Sequence, residues 1–168
     1  MDIIQFAMQM ELDGKTFYEK AAAKSSQPEL KEIFTYLADE EERHFRFFKM
    51  LADGNFKKAG EALDSQASLQ TTKNVFVQLI EENQDKRFGN DSRAAWEEAL
   101  KIEEKAVKLY TEEANKESDP ARRAMLERIA DEERNHVYLI DNMLSFMSDP
   151  QSFADSKEFA SFKSWEGH

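Results

Sequence analysis

The chain has no cysteine, and only three prolines and five glycines interrupt its 168 residues. The missing thiols exclude disulfides, zinc–thiolate sites, iron–sulfur clusters and cysteine catalysis. Few prolines and glycines leave long helices uninterrupted, and the dominance of Ala, Glu, Lys, Leu, Met and Phe favours helix over sheet. No apolar run approaches the ~20 residues that a membrane span needs. Met1-Asp2-Ile3-Ile4-Gln5 has no basic stretch ahead of an apolar one, so no signal peptide is expected and a cytoplasmic protein is. Positive charge is also short: 23 Lys and Arg against 34 Asp and Glu give a formal charge of −11. That balance argues against binding a nucleic-acid backbone, where a basic stripe would be expected. Most of the acidity serves solubility. The length fits one domain with a substantial core.

Four long helices are legible from apolar spacing. The first, about residues 2–24, places Ile4, Ala7, Met8, Glu11, Gly14, Tyr18, Ala21 and Ala22 on one stripe. Ser25-Ser26-Gln27-Pro28 ends it, and Pro28 suits the first position of the next helix. The second, about 29–52, turns Leu30, Phe34, Leu37, Glu41, His44, Phe48 and Leu51 inward. After Asp53-Gly54-Asn55 the chain reads as a less regular crossover over about 53–91, with one short helix near 72–85. The third helix, about 93–116, presents Trp96, Ala99, Leu100, Glu103, Ala106, Val107 and Tyr110. Ser118-Asp119-Pro120 starts the fourth, which carries Leu126, Ile129, Glu133, His136, Ile140 and Met143 to about Ser148. The expected division is a helical bundle over 1–148 and a tail over 149–168. In the tail, Phe153, Phe159, Phe162 and Trp165 either pack on the bundle or serve a partner chain.

The chain repeats itself at an offset of 92 residues (133 − 41). The shift pairs Glu11 with Glu103, Tyr18 with Tyr110, Pro28 with Pro120, and Ala38-Asp39-Glu40-Glu41 and His44 with identical residues. Two helical hairpins joined by a long connection follow. Each holds one inward Glu and, 30 residues later, a Glu-x-x-His: Glu41 with His44, Glu133 with His136. Glu40, Glu42, Arg43 and Glu132 are expected on the solvated helix surface.

On a helix, positions i and i+3 share a face with Cβ atoms about 5–6 Å apart. Glu41 and His44 can therefore reach one ion, and Glu133 and His136 another. Glu11 and Glu103 add a carboxylate to each half. Four glutamates facing one another in an apolar core carry −4, and each buried unpaired ion costs several kcal/mol or more. Two divalent ions offset that charge. Oxygen-rich sites with one imidazole per ion suit iron, with manganese as the other option, better than four-coordinate zinc. One Glu from each of two helices plus Glu-x-x-His from the other two is a known ligand pattern of di-iron bundles.

With Met10-Glu11…Phe17-Tyr18, Ile102-Glu103…Leu109-Tyr110 and the two Glu-x-x-His stretches in place, the sequence resembles the rubrerythrin-like branch of the ferritin-like di-iron proteins. The resemblance spans about residues 1–147. It implies an all-α, ferritin-like four-helix bundle with a long crossover, and a homodimer. It makes Glu11, Glu41, His44, Glu103, Glu133 and His136 ligands of two iron ions cycling between Fe2+ and Fe3+, with Glu41 and Glu133 bridging. Tyr18 and Tyr110 become hydrogen-bond donors to the ligand carboxylates. Peroxide reduction is the implied reaction, with oxygen as the other acceptor. Rubrerythrins carry a further Glu three residues after the third-helix ligand; this chain has Ala106 there and Gly14 in the first half. Small residues at both places are expected to leave room for a peroxide. The resemblance does not extend to a rubredoxin domain, so electrons are expected from a separate rubredoxin-type protein or flavoprotein. Two rival readings are iron oxidation with sequestration or delivery, and a metal-free helical interaction module suggested by the apolar tail.

Overall fold

A computed structural model describes residues 2–65 and 69–167, and among them the chain is all helix, with no strand. It divides into two compact units, Met1–Ser68 and Leu69–His168. Residues 66–68 of the expected crossover and residue 168 of the expected tail lie outside the described residues.

In the first unit, α1 (Ile3–Lys24) begins where the Asp2 carboxylate accepts the Ile4 N–H at 3.3 Å. It ends at Ser25, whose N–H donates to Ala22 O and whose hydroxyl donates to Ala21 O at 2.8 Å. Pro28 opens α2 (Pro28–Ala52), where its missing N–H costs nothing. At the far end Gly54 takes the left-handed conformation, φ 74°. Its N–H donates to Leu51 O, and that of Asn55 to Met50 O, the paired bonds of a Schellman stop. Asn55 then caps a helix where irregular chain is expected, α3 (Phe56–Asp64), by accepting the Lys58 N–H at 3.1 Å. Nine residues form no stable helix alone. Ala59 and Leu63, one turn apart and fully buried, hold this one against α2.

The packing of α3 overturns another expectation. Glu40 and Arg43 are not on the surface; both are buried. Arg43 Nε pairs with Glu40 Oε2 at 2.7 Å, Tyr36 donates to Glu40 Oε1 at 3.0 Å, and Arg43 Nη1 donates to Leu63 O at 2.7 Å. The last contact reaches a carbonyl in the final turn of α3, where helix carbonyls run short of intrahelical donors. Glu132, the repeat of Glu40, is buried too, 3.4 Å from Arg128. Only Glu42 is partly solvated as expected.

The second unit contains α4 (Leu69–Glu82), α5 (Asn90–Lys116), α6 (Pro120–Ser148), α7 (Pro150–Ala154) and α8 (Lys157–Ser164). The turn between α5 and α6 repeats the one between α1 and α2. Ser25 stands at φ −75°, ψ 123° and Glu117, 92 residues on, at φ −76°, ψ 124°. Both are followed by a proline-led helix, and Asp119 caps its helix through the Arg122 N–H at 3.0 Å.

The tail packs within this unit. Phe153, Phe159 and Phe162 are buried. Phe162 meets Phe76 of α4 edge-on at 4.9 Å, and Trp165 meets Tyr138 of α6 at 4.7 Å. The apolar residues that suggested an interaction module are thus used inside the chain. Lys73, buried on α4, donates to Trp165 O at 2.6 Å and latches the end of α8. Lys73→Met keeps the aliphatic stem and removes that bond, at an expected cost of about 1.5–3 kcal/mol. Amide exchange around Trp165 should quicken while α5 and α6 keep their protection. Unchanged exchange there would show that Lys73 is no latch.

Candidate metal centre

Glu11 comes from the middle of α1, and Glu41 and His44 from one face of α2. α1 and α2 pack along each other, and Ala7, Tyr18, Phe34, Leu37 and Phe48 on the same stripes are buried with them. Glu11 is 1% exposed, Glu41 3% and His44 0%. Each of the three offers a ligand atom, and these atoms lie within 4.8 Å of one another. His44 Nδ1 stands 3.7 Å from Glu11 Oε2.

The second unit builds the same group again. Glu103 of α5 and Glu133 and His136 of α6 are buried, with ligand atoms within 4.8 Å of one another. His136 Nδ1 lies 3.5 Å from Glu103 Oε1 and 3.3 Å from Glu133 Oε2. Atoms bound at right angles about 2.1 Å from one ion lie about 3 Å apart, so these separations are close to those of a shared coordination sphere. Each half thus gathers two carboxylates and one imidazole out of water. Removing a carboxylate from water costs several kcal/mol, and one divalent cation per half offsets both charges. Oxygen and imidazole donors without sulfur suit iron or manganese. The residues present fit such ions.

Tyr18 and Tyr110 are fully buried, with Tyr18 packed edge-on to Phe17 and tilted on Phe34. Around each half a polar clamp ties the two helices. In the first it is Lys15 Nζ to Glu42 Oε2 at 2.6 Å, a hydrogen bond that holds the lysine above its ordinary pKa. In the second, Arg134 reaches Thr111 Oγ1 at 2.8 Å and Asp131 at 2.6 Å. Neither clamp is legible in the sequence: Glu42 and Arg134 occupy equivalent positions of the repeat, but they differ in charge and their partners Lys15 and Thr111 do not correspond.

The space expected beside Gly14 is taken. A Cβ at this position would lie 2.9 Å from Glu41 Oε2 and 3.2 Å from Glu41 Cδ. The Glu41 carboxyl group, rather than an opening for a small oxidant, fills the gap left by the glycine.

No helix among the described residues is long and apolar enough to cross a membrane. The chain matches the family described as Rubrerythrin over residues 2–144, which takes in every residue of both halves of the centre. No curated protein and no solved structure matches it.

Proposed function

The chain belongs to the rubrerythrin family, all-α proteins of ferritin-like fold, and on that premise we propose that it is a di-iron oxidoreductase that reduces hydrogen peroxide. The observation that carries the reading is the duplicated, buried group of two glutamates and one histidine in each unit. We assign Glu11, Glu41 and His44, with Glu103, Glu133 and His136, as the ligands of two iron ions. A bound iron pair would supply two electrons and Lewis acidity to the O–O bond of the peroxide.

What the chain contributes is position and environment. The glutamates hold charge where the apolar stripes exclude bulk water. Helix backbones fix the spacing of Glu41 with His44 and of Glu133 with His136, so the donors need little rearrangement on binding. Tyr18 and Tyr110, two helical turns beyond Glu11 and Glu103, are assigned to orient ligand carboxylates through their hydroxyls. The reaction balances as one peroxide, two electrons and two protons giving two waters. In this reading a separate rubredoxin-type protein or flavoprotein restores the electrons. The working unit in this reading is a homodimer.

The test is peroxide consumption by iron-loaded protein with such a donor under anaerobic conditions. Turnover well above that of the same amount of free iron is expected. Turnover no faster than free iron would overturn the reading, and iron uptake well beyond two ions per chain would replace it with iron handling.

A further inference from the structure

Gly14 sits in mid-helix, where glycine is the least suitable residue after proline because it gives up the most backbone freedom. No turn or positive φ asks for it there. What asks for it is Glu41: Oε2, Cδ and Cγ of that side chain lie 2.9, 3.2 and 3.5 Å from where a Cβ would stand. The position 92 residues on is Ala106, buried and carrying the Cβ that Gly14 lacks. The two halves therefore repeat their ligands but not the wall behind them.

We propose that Gly14 is a positioning residue: its missing Cβ seats the Glu41 carboxylate against α1, beside Glu11 and His44, and so makes the two ion sites unequal. This rests on the di-metal reading above. The atom a new methyl would meet is the far end of a side chain, not backbone. Alanine at this position therefore moves the carboxylate and leaves the helix intact.

The experiment is titration of the whole, metal-free chain with Mn2+ by calorimetry and with Co2+ by absorption, for the wild type, Gly14→Ala and Ala106→Gly. In the wild type two ions bind. In Gly14→Ala one of the two weakens by about tenfold or more, the range that displaced supporting contacts produce at metal sites. The Co2+ bands of that ion shift, and the Tm of the metal-free protein stays level or rises. Ala106→Gly keeps both affinities. In a Glu41→Asp background the carboxylate is already drawn back by one methylene, so adding Gly14→Ala should cost little more. Two ions bound by Gly14→Ala with wild-type affinities and bands would overturn the inference alone. So would failure of that variant to fold, or full additivity with Glu41→Asp. A wild type that binds no pair of ions would overturn the di-metal reading, and this inference with it.

Discussion

Arg43→Ala is expected to destabilise the metal-free protein by about 3–5 kcal/mol, the usual cost of removing one partner from a buried ion pair. Two contacts go at once. Glu40 loses the guanidinium at 2.7 Å, and Leu63 O loses its donor at the end of α3. Tyr36 remains on Glu40, but a neutral hydroxyl offsets only part of a buried carboxylate. The loss should show as a lower midpoint in guanidinium unfolding, with α3 the first segment to lose amide protection. Against a typical total of about 5–15 kcal/mol this is a large fraction. Replacing both partners, as Glu40→Leu with Arg43→Met, should recover most of it, because the apolar pair leaves no charge behind. A loss under about 1 kcal/mol would place the pair with solvated ion pairs, against its burial.

That network also shows why half of α2 was legible and half was not. The face of the proposed ligands announces itself twice, in register, at Glu41 and His44 and again at Glu133 and His136, so repetition separates it from chance. The other face carries Ile33, Tyr36 and Phe47, all buried, at spacings that define a second stripe. Glu40 and Arg43 interrupt that stripe, and charge at those places looks like solvent exposure until the partners are seen. The signal was the three apolar residues on either side of them. In α6 the same face holds Glu132, Asn135, Leu139, Asn142 and Phe146, all buried. It is polar enough to hide in the same way. What packs beside these helices differs: α3 rests on α2, while α7 and α8 rest on α6. The covering segments do not repeat, so the internal symmetry that exposed the proposed ligands says nothing about them. Gly14 belongs to the same class of miss. A glycine on an apolar stripe is legible as small, but the side chain that fills its space comes from a residue 27 positions away (41 − 14).

Glu41→Gln should take the metal content from two ions per chain to one or fewer, as read by elemental analysis after desalting. The amide keeps the shape of the side chain, so no cavity opens and packing against Gly14 persists. Its nitrogen cannot ligate, and it brings no charge to offset a cation. Stability should therefore move in opposite directions with and without metal. In the metal-free protein a carboxylate only 3% exposed is replaced by a neutral group, which removes a desolvation cost. Its Tm should match or exceed that of the wild type. With metal present the wild type gains binding free energy, about 2.7 kcal/mol at a hundred times the dissociation constant, and the variant gains little. The order of the two melting curves should then reverse on adding Fe2+ or Mn2+ anaerobically, and reverse back with chelator. Curves that keep one order throughout would show that Glu41 is a structural carboxylate and not a ligand.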